Sequence, residues 1–175
     1  LDIAAGHGRY VLDAVAASPV PVASILLRDY SDTNVRDGRA LIAERGLQQV
    51  ARFVQADAFN RTSLATVSPR ATLAVVSGLY ELFADNELVR TSLAGVADAL
   101  EFDGYLVYTG QPWHPQLEFI ARALTSHRQG QAWVMRRRTQ AELDQLVAAA
   151  GFEKLTERVD EWGIFTVSLA RRVVR

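Results

Sequence analysis

The chain opens Leu1-Asp2-Ile3-Ala4-Ala5-Gly6-His7-Gly8, and the reading of this stretch decides the fold. Leu1 to Ile3 has the character of the tail of a buried strand. Gly6-His7-Gly8 then makes a turn whose glycines let the backbone come close to a ligand, and a helix opening behind it offers free amides at its N-terminus. From Gly8 to Ala17 the apolar residues Val11, Leu12 and Val15 recur at helical spacing. Ser18-Pro19-Val20-Pro21 stops that run.

The same alternation continues outward. Ala23 to Leu27 is a short, continuously apolar run, the signature of a central parallel strand covered on both faces, and it ends at Arg28-Asp29-Tyr30. Asp32 or Thr33 is expected to cap a second helix through Val35, Leu41 and Ile42, with Gly46 as the residue that closes it. Val50 to Gln55 reads as a third strand, Thr62 to Val67 as a short helix, and Leu73 to Ser77 as a fourth strand. Asp85 caps a helix whose apolar stripe runs Leu88, Val89, Leu93, Val96, Ala97, Leu100. Gly104 to Thr109 is a fifth strand. Gln111 to Arg138 is the least regular part, with one helix expected from Gln116 to Leu124.

Thr139-Gln140-Ala141-Glu142 has the form of a capping box, in which the Thr hydroxyl and the Glu carboxylate satisfy reciprocal free amides. The helix it opens ends at Gly151. Two strands, Glu153 to Val159 and Ile164 to Leu169, close the chain with no helix between them. The expected fold is therefore α/β: a Rossmann-like, doubly wound, seven-stranded sheet, mostly parallel, with an antiparallel C-terminal edge hairpin.

Composition bounds the function. At 175 residues the chain is one domain with enough length for a proper core. A net charge of −1 supplies no field for nucleic acid or an anionic membrane, and no apolar run approaches the ~20 residues a membrane span needs. The chain has no cysteine, which excludes disulfides and thiolate metal sites and fits a cytoplasmic, reducing setting. Three scattered histidines form no metal-ligand pattern. Residue 1 sits inside an apolar strand end and is not Met, so the expectation is a domain lacking N-terminal residues.

In a doubly wound sheet, ligands bind at the carboxyl ends of the central strands, where strand order switches. Four such ends carry polar signals here. The first supplies Asp2, Ala4 and the turn Gly6-His7-Gly8. The second supplies Asp29, placed 21 residues after Gly8, at the spacing of an acid that accepts hydrogen bonds from a ribose diol, followed by Tyr30. The third supplies Asp57-Ala58-Phe59, an acid and an aromatic suited to the edge and face of an adenine. The fourth supplies Ser77-Gly78-Leu79-Tyr80-Glu81. Their joint occurrence points to an adenosine-containing ligand. A dinucleotide turn wants a third small residue, and the series Gly6, Gly8, Val11 does not provide it.

Asp2 to Gly8 instead reads Asp-x-Ala-x-Gly-x-Gly. This resembles motif I of the class I S-adenosylmethionine-dependent methyltransferases, with Ala4 in place of the first glycine. The resemblance extends over the whole chain, and the closing hairpin matches that family's seventh-strand feature. Asp-Ile-Ala-Ala-Gly-His-Gly-Arg-Tyr, Leu-Leu-Arg-Asp-Tyr-Ser, Ser-Gly-Leu-Tyr-Glu-Leu-Phe and Gly-Gln-Pro-Trp-His-Pro-Gln resemble, more narrowly, a family of bacterial methyltransferases whose members can lie behind an α/β-hydrolase domain. The resemblance implies S-adenosylmethionine as cofactor, Asp29 as the ribose acid, Tyr30 against the adenine and Asp57 near its amino group. It also implies a possible covalent fusion to an N-terminal domain.

Methyl transfer from a sulfonium needs positioning above all, and a base only where the acceptor must lose a proton. Glu81, His114 and Tyr80 are the candidates for that role, and His7 is read as lining the cofactor site. Arg136 to Arg138 could read an acidic substrate, although a solvated basic face is the commoner meaning of such a run. Trp113 and Trp133 are read as a lid or as core. Two other readings stay open: an NAD-dependent oxidoreductase, which would share the fold and the ribose acid, and a non-catalytic domain that only binds the methyl donor. The acceptor is expected to be a small molecule.

Overall fold

The computed structural model describes residues 1–125, 130 and 132–173. Seven strands form one sheet: β1 (Asp2–Ile3), β2 (Ile25–Asp29), β3 (Ala51–Gln55), β4 (Ala71–Val76), β5 (Leu100–Gly110), β6 (Phe152–Val159) and β7 (Thr166–Arg172). Their order is β3-β2-β1-β4-β5-β7-β6. The first five are parallel, and β7 runs antiparallel between β5 and β6. The closing hairpin is thus part of the sheet body through β7, with β6 on the edge. The α/β architecture expected from the alternating pattern is the one found.

The helices are α1 (Arg9–Ala17), α2 (Asp32–Glu44), α3 (Arg61–Ala65), α4 (Asn86–Ala99), α5 (Leu117–Ala123) and α6 (Gln140–Ala149), with one 3-10 turn at Tyr80–Leu82. Two apolar cores form. Leu12, Val35, Leu41 and Ile42 of α1 and α2 pack on Ile25, Leu27 and Phe53. Leu64, Val89, Leu93, Val96, Leu143, Leu146 and Val147 of α3, α4 and α6 pack on Ile3, Val76, Leu106 and Tyr108. Burying both sheet faces suits the apolar run Ile25-Leu26-Leu27 of β2, which ends in the charged pair Arg28-Asp29.

Several caps differ from expectation. Ser31, not Asp32 or Thr33, opens α2, its hydroxyl accepting from Asn34 N at 3.3 Å, because Asp29 already turns the backbone there through Ser31 N. Asp85 caps α4 as expected, accepting from Glu87 N at 2.8 Å, and Gly46 closes α2 with φ 67°. The capping box is half built. Thr139 accepts from Glu142 N at 3.1 Å, but Glu142 Oε1 turns to Asn86 and Arg136.

β1 is the pivot. It pairs in parallel with both β2 and β4, so chain order reverses direction across it. That reversal opens a crevice above the strand ends.

Candidate functional site

The turn after β1 is a backbone construction. Ala4, Gly6 and Gly8 all take left-handed φ, at 58°, 57° and 72°, which explains the preference for glycine at this spacing and marks Ala4 as mildly strained. Gly8 is demanded twice, since a Cβ there would lie 2.4 Å from Leu27 Cδ1. Gly6 is demanded only by its φ, for an added Cβ would meet nothing within 4 Å. The turn is held from below by Ala5 N donating to Arg28 O and Gly8 N donating to Ala5 O. α1 follows with no side-chain cap and no acid in its first turn, so its leading amides and positive dipole end serve the crevice.

Asp2 is 1% exposed, at the end of β1. Its Oδ2 accepts from Tyr10 Oη at 2.7 Å, while Oδ1 is buried with no partner. Burial pushes the carboxyl up to about 7, opposed by the Tyr10 hydrogen bond and assisted by the charge of Asp29. The same burial, with Asp2 alongside, raises the Tyr10 phenol.

Asp29 is more heavily used within the chain than a free ribose acid would be. Its Oδ2 accepts from Gly6 N at 2.8 Å, and Oδ1 accepts from Ser31 N at 2.8 Å and Asn34 Nδ2 at 3.0 Å. A carboxylate offers about four acceptor positions, so Asp29 both ties the turn to α2 and keeps capacity for a ligand. Tyr30 beside it is 76% exposed, its ring free at the crevice rim, and its carbonyl accepts from Gln55 Nε2.

On the third strand end, Asp57 is exposed, Ala58 is buried and Phe59 is half-buried. Asp57 Oδ1 accepts from Phe59 N at 2.9 Å, and the Phe59 ring meets Phe83 edge-on at 4.3 Å. Arg28, which sequence reasoning passed over, lies buried below. It donates to Ser63 Oγ at 2.8 Å and faces the charge of Asp57. Its signal was an arginine directly after the apolar run Ile25-Leu26-Leu27, within the strand.

The fourth end carries half-buried Ser77 and then Gly78, whose N donates to Thr109 Oγ1 at 2.9 Å. Tyr80 does not face the crevice. The 3-10 turn rotates it into the core, where it is 2% exposed with its hydroxyl 3.1 Å from Ser92 Oγ. Glu81 is half-buried, and desolvation raises its carboxyl against the opposing charges of Arg137 and Arg138. It lines a small recess with Thr109, Gly110 and Gln111. His114 Nδ1 accepts from Gln116 N at 3.1 Å.

Arg136 to Arg138 are not a solvated face. Arg138 is 6% exposed and donates to Asn86 Oδ1 at 2.8 Å, Tyr80 O at 2.6 Å and Phe83 O at 2.8 Å. Arg136 donates to Ala84 O at 2.6 Å and pairs with Glu142 at 2.5 Å. Together they latch the segment after β4. His7 is exposed at the opposite rim, 3.9 Å from Asp37 Oδ2. Trp113 is 53% exposed, and Trp133 is half-buried.

With this geometry in hand, relatives can be compared. The family described as "Putative methyltransferase" matches residues 1–172. The chain belongs to this methyltransferase family. An Escherichia coli (strain K12) protein, "Uncharacterized protein YnbC", is 63% identical to the domain over 172 residues, which are 98% of this chain and 29% of that protein. The methyltransferase domain thus spans less than a third of that relative's length.

Solved structures share its fold. A Clostridium acetobutylicum S-adenosylmethionine-dependent methyltransferase superposes with TM-score 0.73 at 10% identity, covering 99% of this chain and 83% of that one. The Synechocystis magnesium protoporphyrin IX methyltransferase, solved with bound S-adenosylhomocysteine (SAH), gives 0.72 at 14% identity, covering 98% and 72%. A Bordetella parapertussis protein described as possibly exported gives 0.76 at 21% identity, covering 99% and 62%. Among the described residues no helix is long and apolar enough to cross a membrane, and no group of three or more His, Cys, Asp or Glu could hold a metal ion.

Proposed function

We propose that the domain binds S-adenosylmethionine above β1 to β4 and methylates a small-molecule acceptor. The observation that carries this reading is the turn from Ala4 to Gly8, three left-handed residues at the sheet's switch point beside a buried acid with one unpartnered oxygen. That donor set fits an amino-acid end carrying both charges. Asp2 Oδ1 would meet its ammonium, and the Gly6 to Gly8 turn, His7 and the first amides of α1 would meet its carboxylate. Asp29 and Tyr30 would hold the ribose and one adenine face, with Asp57, Ala58 and Phe59 along the adenine edge. Ser77 and Gly78 would form the fourth wall.

When bound, the sulfonium supplies an activated methyl carbon. The chain's own part is to hold the acceptor in line with that carbon and keep water from it. Glu81 is the group best placed to orient the acceptor or take its proton, because burial makes its carboxyl a stronger base than usual. His114 is a second candidate at the rim. Tyr80 is left out, its hydroxyl being committed to Ser92.

Calorimetry with SAH and with NAD tests the donor. Binding of the first is expected, and binding of NAD alone would end the methyltransferase reading. A labelled-methyl screen over small acceptors then tests turnover, with donor binding but no transfer favouring a binding domain. The absence of cysteine supports a cytoplasmic setting, which cell fractionation would check. The 29% coverage of the Escherichia coli relative supports a further domain on the same polypeptide.

A further inference from the structure

Beside the recess that Glu81 and Gln111 line stands a cation whose bonding is incomplete. Arg136 and Arg138 are committed to the latch described above, on good oxygen acceptors. Arg137 is not. Its Nη1 donates to the side-chain oxygen of Gln111 and lies 3.4 Å from that residue's carbonyl. Among the described residues its Nη2 meets only Met135 Sδ, at 3.2 Å, and its Nε is buried without a partner. Among the described residues no carboxylate lies within ion-pair distance of it. Glu81 acts on it only as a nearby charge.

Nε and Nη2 form one edge of the planar guanidinium, the fork that grips a two-oxygen acid side-on. Among the described residues that fork meets a thioether, a weak acceptor, and no oxygen. An unmade bond from a buried N–H is costly, and more so when the group is charged. Folding leaves this cost in place beside Gln111, which lines the recess with Glu81. Local charge is balanced, three guanidiniums standing near Glu81, Glu142 and Asp85, so the unmade bond and not an excess of charge marks Arg137. Met135 is an unbranched, flexible side chain that can swing off the fork at little cost.

We propose that Arg137 is the acceptor-recognition residue of this domain, and that the methyl acceptor is an acidic small molecule whose carboxylate takes the Nε–Nη2 edge of Arg137 in place of Met135. This rests on the methyl-transfer reading for the neighbouring donor site and adds the acceptor's chemical class. A neutral amide of the same shape would set its own N–H groups against the guanidinium and be rejected.

The test titrates the protein, labelled with ¹⁵N-arginine and loaded with SAH, with acetate and benzoate and separately with acetamide and benzamide. The acids should shift one Nε–H resonance, identified by its loss in R137Q, and the amides should leave it in place. R137Q should weaken acid binding about tenfold or more, the usual size of losing a fork, while SAH affinity holds and so reports an intact fold. R137K, which keeps the charge without the fork, should fall between. Equal response to acids and amides, acid affinity unchanged in R137Q, or an unmoved Arg137 resonance would each overturn the proposal. Failure of SAH to bind would instead count against the donor reading, and the same titration of the unloaded protein would still decide Arg137.

Discussion

The turn after β1 and the segment after β4 face each other across one crevice and keep their shapes by different means. The first is held by backbone: left-handed residues at 4, 6 and 8, main-chain hydrogen bonds from Gly8 N to Ala5 O and from Ala5 N to Arg28 O on the adjacent strand, and one carboxylate, Asp29, gripping Gly6 N. The second is held by side chains from far along the sequence. Arg138 reaches Tyr80 O across 58 residues and Phe83 O across 55, and Arg136 reaches Ala84 O across 52. A backbone site suits a ligand whose shape never changes. A site latched by side chains can be altered by substitution without touching the turn opposite. Under the proposed function, that difference would let acceptor recognition change while the donor turn stays fixed.

That contrast can be broken at measurable places. The largest effect is expected at the latch. Arg138→Met removes a donor from each of Tyr80 O, Phe83 O, Ala84 O and the Asn86 amide oxygen and should cost about 4 kcal/mol of stability in a denaturant titration. Little loss would mean the segment after β4 holds itself. Gly8→Ala should cost about 3 kcal/mol, because the new methyl meets Leu27 at 2.4 Å and the residue must stay left-handed. A wild-type midpoint would show that the turn relaxes more freely than its packing implies.

Asp2→Asn should act in the opposite direction. The folded carboxyl sits near 7 against an ordinary 3.8, so from about pH 4 to pH 7 the folded state holds a proton that the unfolded chain has released. Stability is therefore highest below pH 4, falls as pH rises toward 7, and stays at the lower level above it. The amide removes this titration. It should stabilise the domain by about 2 kcal/mol at pH 8 and by almost nothing at pH 4, while weakening SAH binding. A parallel pH profile in the two proteins would show that Asp2 is ionised throughout. The smallest stability change belongs to Gly6→Ala, at about 1 kcal/mol from its φ alone. Since its Cβ would project into open space, the measurable loss should be in SAH affinity. Unchanged affinity would remove Gly6 from the donor site.

Legibility in the sequence follows the same division. Gly6, Gly8 and Asp29 were readable because each is set by its neighbours in the chain or by the fixed length of one strand–helix–strand unit. Even there the detail escaped. Asp29 is shared between ligand capacity and three internal donors, and Ser31 took the cap expected of Asp32 or Thr33. Tyr80 showed the limit of reading a loop as facing the crevice, since a single 3-10 turn sent it into the core. Arg136 to Arg138 showed the limit of reading a basic run as solvated. The carbonyls that hold them lie in another element, and no local pattern announces that pairing.

The sequence by itself determined the alternation of strand and helix and the position of the pivot turn. Those depend on periodicity and on backbone angles, which short-range sterics fix. Only the tertiary structure decided that Asp2 keeps an unpartnered oxygen, that Glu142 leaves its capping box for Arg136, and that Arg137 alone among the three arginines has a buried Nε without a partner. Such facts depend on which groups folding brings within about 3 Å of one another, and the chain between them carries no record of that distance.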